Sequence, residues 1–151
     1  MSHGFVTIGV DPGKKGGFTV MIDGVIHVSK IWNDVDFIVA MRDVSEMGLT
    51  IRAAVEKVGA MPHQGVASMF NFGKSCGFIE GVLATLDIPY QLISPQKWKA
   101  EFGLNSDKQK SIEVCQKLFP DLNLLPTARC TKPSDGIAES AMLAEYARRK
   151  L

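Results

Sequence analysis

The stretch FVTIGVDPGKKGGFTVMIDGVIHVSKI, residues 5–31, determines the fold class that this sequence predicts. It contains three runs rich in β-branched and aromatic residues, which are typical of strands. The three predicted strands are Phe5–Val10, Gly17–Ile22 and Val25–Ile31. Asp11-Pro12-Gly13 ends the first strand, and Asp23-Gly24 favours a tight hairpin turn between the second and the third. The chain is therefore expected to open with three consecutive antiparallel strands.

Outward from this hairpin sheet, helical and strand patterns alternate along the chain. Further strands are predicted within Leu49–Val58, ending near Glu56, and at Pro89–Ser94. Helices are predicted at Asp34–Glu46, Phe72–Leu86, from Pro95 onward, at Ser106–Leu118 and at Asp135–Leu151. The order β-β-β-α-β-α-β-α-α-α is typical of an α/β fold in which a mixed five-stranded sheet carries helices on both faces. A length of 151 residues fits one domain, residues 1–151.

Composition and charge place only loose limits on function. The net charge is +1 and hydrophobic residues make up 46% of the chain, which indicates a folded protein rather than a disordered one. The three cysteines, Cys76, Cys115 and Cys130, have no spacing typical of a zinc site or a disulfide framework. We find no signal peptide, transit peptide or long apolar run, so we expect a cytoplasmic protein, in a bacterial cell or a phage-infected host, with no membrane partner.

Four carboxylates fall at positions where such a fold brings side chains together. Asp11 and Glu56 stand at the ends of two predicted strands, and parallel neighbouring strands place their carboxyl ends at one edge of a sheet. Asp135 and Glu139 lie four residues apart on the last predicted helix and therefore project from one face. Packed across the sheet, this helix adds its acids to those of the strands. The predicted catalytic and metal-binding residues are Asp11, Glu56, Asp135 and Glu139.

Each of these acids also has a simpler interpretation. Asp11 before Pro-Gly is a common turn former, and Glu56 could be a solvated charge at a strand end. Asp135 is a suitable N-cap for the last helix, and Glu139 could be an ordinary exposed helical residue. The catalytic interpretation depends on all four acids occurring together on the expected elements.

The four acids predict a site for hard divalent cations. We expect no lysine partner among them, so their mutual repulsion requires neutralisation by cations, and all-oxygen ligands favour Mg²⁺ or Mn²⁺. Two such ions per active site, about 3.5–4 Å apart, activate water and stabilise the leaving oxygen of a phosphodiester. The predicted chemistry is therefore metal-dependent phosphodiester hydrolysis, with no nucleotide cofactor.

Four motifs, in this order, resemble those of RuvC-type Holliday junction resolvases, a branch of the RNase H-like superfamily. The first motif is IGVDPGKKGG at Ile8–Gly17. The others stand at Val55–Lys57 with Met61–Gly65 and Phe72-Gly73, at Ser94–Lys99 (SPQKWK) and at Asp135–Ala141 (DGIAESA). The resemblance covers nearly the whole chain and is closer to the phage and organellar branch than to bacterial RuvC.

This resemblance implies an RNase H-like fold and a homodimer that introduces paired nicks into four-way junction DNA. It also implies Mg²⁺ or Mn²⁺ held by four acids, which match Asp11, Glu56, Asp135 and Glu139 position by position. Bacterial RuvC carries its last two acids as aspartates three residues apart, whereas here they are four apart and the second is glutamate. Both spacings keep the two acids on one helix face, so the implied geometry is retained.

Basic, polar and aromatic residues near these motifs are predicted to hold DNA. Lysines beside glycine turns and helix starts suit backbone phosphates, and Lys132 is expected near the scissile phosphate. Phe70, in a predicted loop over residues 60–72, is a candidate wedge between bases; alternatively it packs under the loop or in a dimer interface, as we expect for Phe72. Small residues along the helix predicted at Phe72–Leu86 favour an isologous dimer contact. The predicted DNA-binding residues are Lys14, Lys15, Gln64, Phe70, Lys97, Lys99 and Lys132.

Three other functions stay open at this point. ATP-binding proteins of the actin and sugar-kinase class also open with an acidic strand end, a glycine turn and a hairpin, but they need two such domains, and 151 residues supply one. The same fold without catalysis would be a DNA-binding or scaffold module, against which the four acids argue. The closest alternative is a related nuclease acting on RNA–DNA hybrids, flaps or other branched DNA, because a fold does not set the substrate.

Overall fold

The computed structural model describes residues 4–59 and 63–151. The strands of these residues form one five-stranded sheet: β1 (Phe5–Asp11), β2 (Gly17–Ile22), β3 (Val25–Ile31), β4 (Thr50–Glu56) and β5 (Tyr90–Ile93). In the order β3-β2-β1-β4-β5, the first three strands are antiparallel, and β4 pairs parallel with both β1 and β5. The mixed sheet that the sequence predicts is confirmed.

Helices cover both faces of this sheet. They are α1 (Asp34–Ser45), α2 (Val66–Thr85), α3 (Pro95–Glu101), α4 (Lys108–Leu118) and α5 (Asp135–Lys150). Side chains that accept a backbone N–H cap four of them, from Asn33, Ser94, Asp107 and Ser134. The first two helices pack on one face and the last three on the other, as the α/β prediction requires. Within the described ranges, no helix combines the length and the apolar character that crossing a membrane requires.

The second helix begins at Val66, so the prediction that it begins at Phe72 is wrong. Gly65 precedes it without a side-chain cap, and its first turns expose Val66 and Phe70. Neither a capping residue nor a buried apolar periodicity therefore marks the start of this helix in the sequence. The predicted loop over residues 60–72 is consequently helical from Val66 onward. Ala60, and Met61 with Pro62 of the second sequence motif, lie outside the described residues.

Alternation along β1 decides which side chains reach α5. Val6, Ile8 and Val10 belong to the hydrophobic core that α1 and α2 share with the sheet. The intervening positions, Gly9 and Asp11 among them, therefore face the opposite side, where α5 crosses the strands.

The helix α5 lies against β1 at a point where the strand has no side chain. A Cβ atom added at Gly9 would overlap backbone atoms of Ser140 and Ala144. Buried hydroxyls support the same contact: Thr19 Oγ1 lies 2.8 Å from Ser140 Oγ, which donates to the carbonyl of Ile137 at 2.8 Å. The helix that carries two of the predicted site acids is thereby held at a fixed distance from the strands.

We expect Gly9→Ala to destabilise the protein by about 3 kcal/mol or more, because the added methyl group meets backbone rather than a movable side chain. Gly81→Ala is the matched control, since nothing described lies within 4 Å of a Cβ added there. The control should gain stability, because alanine favours a helix over glycine by about 1 kcal/mol. Denaturant unfolding measures both variants, and a Gly9→Ala protein as stable as the wild type would contradict the close contact of α5.

Candidate active site

Asp11 and Glu56 are neighbours because β1 and β4 pair in parallel. Val10 pairs with Val55 in this register, and the two acids are the next residues, each the last of its strand. Val10 and Val55 both belong to the core beneath α1 and α2, so the residues that follow them face the other side of the sheet. Both carboxylates therefore reach the α5 side at the carboxyl edge of the sheet.

Glu139 of α5 completes a compact group of three carboxylates, Asp11, Glu56 and Glu139, which we call the three-acid cluster. One oxygen of each lies within 4.8 Å of the others. Asp11 is only 9% exposed and Glu139 only 2%. Carboxylates this close and this poorly hydrated repel one another unless protons or cations neutralise them. The structure thus brings together three of the four acids that the sequence singles out.

Asp135 lies beside the three-acid cluster. Ser134 caps α5, its Oγ accepting the N–H of Ile137 at 3.1 Å, so the alternative interpretation of Asp135 as the N-cap is wrong. Asp135 is instead the first residue of the helix, and its side chain is about half-exposed. One of its carboxylate oxygens lies 2.9 Å from Lys108 Nζ.

Two lysines approach the acids, so the expectation that no lysine lies among them is wrong. Lys108, the first residue of α4, lies 2.9 Å from Asp135 and 3.6 Å from Glu139. Lys99 of α3 lies 3.9 Å from Glu139, and its side chain is mostly buried. The expectation fails because α3 and α4 both pack against α5, tertiary contacts that local sequence does not reveal. Four acids and two lysines still leave the site with an excess of negative charge.

Glu56 and Glu139 differ in their hydrogen bonding. Glu56 Oε2 accepts the indole N–H of Trp98 at 3.0 Å. Glu139 Oε1 is buried and has no hydrogen-bond donor among residues 4–59 and 63–151. Lys99 Nζ lies 3.9 Å from this oxygen, beyond hydrogen-bond distance. Leaving a buried carboxylate oxygen without a donor is costly, so this atom calls for a closer partner such as a divalent cation.

Burial and crowding change the acidity of these groups. Burial raises the pKa of Asp11 well above its ordinary value of 3.8, and the charges of Glu56 and Glu139 raise it further. Burial also raises the pKa of Glu56 from 4.5, although the hydrogen bond from Trp98 opposes the shift. For Lys108, burial acts to lower the pKa, but its hydrogen bond and the charges of the neighbouring acids raise it from 10.5 to about 12. Asp11 and Glu56 thus resist ionisation while Lys108 holds its proton, as expected of a site that lacks positive charge.

Without divalent cations, the stability of the protein should fall as the pH rises from about 4 toward neutrality. Asp11 and Glu56 have folded pKa values above their ordinary values of 3.8 and 4.5. Each therefore stabilises the fold fully only below its ordinary value, and this contribution is lost as the pH rises through the raised pKa. Burial would raise the pKa of Glu145, but hydrogen bonds from Arg148 and Arg149 lower it below its ordinary 4.5. The stability that Glu145 contributes is therefore fully present above about pH 4.5 and is lost only as the pH falls further, so it does not change over the range of the decline.

Thermal unfolding in metal-free buffers between about pH 5 and pH 8 measures this dependence. The same scan with saturating Mg²⁺ is the control, because a bound cation favours the ionised acids and should remove the decline. A metal-free melting temperature that rises steadily over this range would contradict the electrostatic description of the cluster.

An open cleft of about 940 Å³ adjoins the acids. Its lining includes three of the predicted acids and three of the predicted DNA-binding residues: Asp11, Glu56, Asp135, Lys14, Lys15 and Gln64. Lys14 and Lys15 are exposed in the turn that follows β1. Positive charge therefore flanks an acidic centre, an arrangement suited to phosphate beside a cation site.

The other residues predicted to bind DNA lie outside the lining of this cleft. Phe70 is 67% exposed on α2, whereas Phe72, which is half-buried, lines the cleft and packs against the turn after β1. Lys97 is exposed on α3, and Lys132 is exposed in the segment before α5. Lys99 approaches Glu139 and so faces the acids.

Four residues of the site are not predicted in these roles: Lys108 and Lys99 as partners of the acids, Trp98 as a donor to Glu56, and Phe72 in the cleft. The sequence around Lys108 and Phe72 contains no local signal for these roles, because both roles depend on how elements distant in the chain pack together. For Trp98 the sequence contains a weak signal. The tryptophan stands among charged residues in the motif SPQKWK, and a buried indole N–H needs a hydrogen-bond acceptor.

Comparison with known proteins identifies the fold. No family model matches the sequence, and no curated protein matches it. Among solved structures, the chain is similar to T. thermophilus RuvC in complex with a Holliday junction substrate, at 14% identity and a TM-score of 0.57 over 96% of each chain. It is also similar to another Thermus thermophilus RuvC structure, at 14% identity and a TM-score of 0.57, over 95% of this chain and 96% of that one. The chain therefore has a RuvC-type, RNase H-like fold.

Proposed function

We propose that this chain, with its RuvC-type fold, is a crossover junction endonuclease that resolves four-way DNA junctions by metal-dependent phosphodiester hydrolysis. The observation that carries the proposal is the three-acid cluster, whose oxygens approach within 4.8 Å beside a cleft lined by Lys14 and Lys15. The likeness to RuvC, one structure of which contains a Holliday junction substrate, supports junction DNA as the substrate class.

The donor set of the site suits Mg²⁺ or Mn²⁺. The candidate ligands are carboxylate oxygens, which hard divalent cations prefer. The buried Oε1 of Glu139 lacks a donor among the described residues, and the raised pKa of Asp11, caused by burial and by the neighbouring acids, reflects uncompensated negative charge. Asp11, Glu56 and Glu139 would hold one ion, and Asp135 extends the ligand set toward a second. Two bound ions would supply an activated water and stabilise the leaving oxygen.

The other proposed contacts of the chain hold and orient the DNA backbone. Lys14 and Lys15 line the cleft beside Asp11 and are placed to neutralise phosphates. Gln64 lines the same cleft, while the exposed Lys97 and Lys132 would contact DNA that extends beyond it. Each phosphate contact that is removed should reduce the salt dependence of binding by about one unit of slope.

We also propose a homodimer formed through one face of α2. Val66, Phe70, Gly73 and Gly77 recur at helical spacing and share one stripe. The two apolar side chains are exposed, and no described atom lies within 4 Å of a Cβ added at either glycine. Apolar side chains beside glycines allow close approach of a second helix, and a self-complementary contact of this kind is isologous. Two active sites then permit paired nicks. The dimer contact and the base wedge are alternative roles for the exposed Phe70, because a ring covered by a second helix could not enter DNA.

Gly77→Arg should convert the protein from a dimer to a monomer, because a long charged side chain would block the glycine stripe. Sedimentation equilibrium should then give a mass near the 16.5 kDa of one chain. Thr85→Arg is the matched control, since Thr85 is exposed near the end of the same helix but lies off the stripe. If Gly77→Arg is still a dimer, the dimer contact does not lie on this face of α2. If the wild type is a monomer, the proposed homodimer is wrong.

The substrate class is tested by incubating the protein with a labelled four-way junction, linear duplex, flap and RNA–DNA hybrid. Each substrate is run with Mg²⁺, Mn²⁺ or EDTA. We expect paired nicks near the crossover of the junction, only when a divalent cation is present. Cleavage of flap or hybrid in preference to the junction would indicate a related nuclease with another substrate. Junction binding without cleavage of any substrate would reject the catalytic function.

A further inference from the structure

Trp98 connects α3 to the three-acid cluster. The side chain is completely buried, and its indole N–H donates to Glu56 Oε2 at 3.0 Å. A buried indole N–H needs an acceptor, and a neutral carbonyl would satisfy it as well as a carboxylate. Here the acceptor is instead a candidate metal ligand, so one of the two oxygens of Glu56 is already engaged.

The position of α3 relative to Glu56 is fixed from several directions. Ser94 caps the helix through the N–H of Lys97 at 3.2 Å. The N–H of Lys57, which follows Glu56, donates to the carbonyl of Ile93 at 2.7 Å and joins the ends of β4 and β5. The chain therefore enters α3 from a strand end that is bonded to the residue next to Glu56.

Lys99 extends the same connection to Glu139, the buried glutamate of the cluster. Its Nζ lies 5.5 Å from the centre of the Trp98 ring and 3.9 Å from Glu139. Two adjacent residues of one short helix thus contact Glu56 and Glu139, Trp98 through a hydrogen bond and Lys99 through charge.

We propose that Trp98 is a positioning residue of the metal site: its indole N–H holds Glu56 Oε2, so that Glu56 offers its other oxygen to a divalent cation in a fixed direction. The inference rests on the proposed cation site but not on the DNA substrate. Hydrogen-bonded partners that orient a ligand commonly change metal affinity by about 10- to 100-fold when they are removed.

The other tryptophan of the chain is a matched control. Trp32 also donates its indole N–H to a carboxylate, Asp34 Oδ1, at 2.8 Å. Asp34 is exposed at the start of α1, on the face of the sheet away from the acids. Replacing either tryptophan by phenylalanine therefore removes the same kind of hydrogen bond, but only one of the two involves the cluster.

Binding of Mn²⁺ to the full chain without DNA, followed by the electron paramagnetic resonance signal of the free ion, tests the proposal. We expect Trp98→Phe to bind Mn²⁺ about 10- to 100-fold more weakly than the wild type, and Trp32→Phe to bind it as the wild type does. Metal-free thermal unfolding shows whether each variant is folded. A folded Trp98→Phe variant with wild-type affinity overturns the proposal.

A second measurement keeps Trp98 in place, so its result does not depend on whether Trp98→Phe folds. In Trp32→Phe, Trp98 is the sole tryptophan. Its emission should change on titration with Mg²⁺, and this change should be lost when Glu56→Gln is added. Emission that does not respond to Mg²⁺ while the ion binds overturns the proposal.

These outcomes separate the inference from the proposed function. Weakened cation binding by Trp98→Phe, in a protein that cuts no junction, would support the positioning role and reject only the substrate. Unchanged cation binding by Trp98→Phe, in a protein that cuts junctions, would reject only the positioning role.

Discussion

The Asp11→Asn variant is expected to cleave the four-way junction about 1,000-fold more slowly than the wild type, and yet to unfold at a higher temperature in EDTA. Cleavage falls because the variant lacks one of the carboxylates that would hold the cations. About 4 kcal/mol of lost transition-state stabilisation corresponds to this factor. Stability rises because burial, and then the charges of Glu56 and Glu139, raise the pKa of Asp11. Asparagine has nearly the same shape as aspartate but no charge. It therefore removes both the cost of burying a charge and the repulsion from Glu56 and Glu139.

Asp121→Asn is the control for this variant, because Asp121 is exposed in the segment after α4. It should change neither the cleavage rate nor the melting temperature. An Asp11→Asn variant that keeps more than about a tenth of the activity would exclude Asp11 from the catalytic site. A metal-free variant less stable than the wild type would contradict the electrostatic account of the cluster.

Lys108→Met is expected to lower the cleavage rate at saturating junction by about 100-fold, while raising the affinity for divalent cations. Lys108 Nζ lies 2.9 Å from Asp135 and 3.6 Å from Glu139, so it would compete with bound cations for the same oxygens. With a pKa of about 12, it stays charged throughout the pH range of the assay. The lysine also lines the cleft, so its removal takes positive charge away from the place where the proposed phosphodiester substrate would bind.

Lys110→Met serves as the control for Lys108→Met. Lys110 lies on the same helix, is exposed, and forms no ion pair in the part of the chain that the structure describes. Cleavage assays and Mn²⁺ titrations of both variants should therefore differ only for Lys108→Met. Weaker cation binding by Lys108→Met would show that the lysine supports the site instead of competing for it. An unchanged cleavage rate of Lys108→Met would show that Lys108 does not act on the substrate.

The sheet and two of its acids follow from local sequence because the relevant signals are local. The strand Phe5–Asp11 and the Asp23-Gly24 turn define the hairpin sheet, and a buried strand that ends in an acid predicts both Asp11 and Glu56. The pairing that makes them neighbours is not a local property, because the chain passes from the edge strand β3 through α1 and beyond β2 before β4 pairs in parallel with β1. The prediction of Glu139 as a site residue depends only on its helical spacing from Asp135 and on the packing of α5 over the sheet.

The environment of the acids could not be predicted in the same way. Lys108 reaches Asp135 because α4 packs on α5, and Trp98 reaches Glu56 because α3 follows the strand beside β4. Both contacts join residues far apart in the chain, and neither leaves a periodic pattern in the sequence. The start of α2 at Val66 was obscured for a different reason: its first turns are exposed and uncapped by a side chain, so the usual signals of a helix start are missing.

Calorimetric titration of Mn²⁺ into the metal-free wild type and into Asp11→Asn, at neutral pH and without DNA, tests most directly whether Asp11, Glu56 and Glu139 bind divalent cations. We expect saturable binding to the wild type, with binding to Asp11→Asn weaker by at least about tenfold, because ligand charge governs the affinity of all-oxygen sites. Asp121→Asn should bind as the wild type does. Equal binding by the wild type and Asp11→Asn, or no binding by either, would contradict the assignment of the three-acid cluster as a metal site.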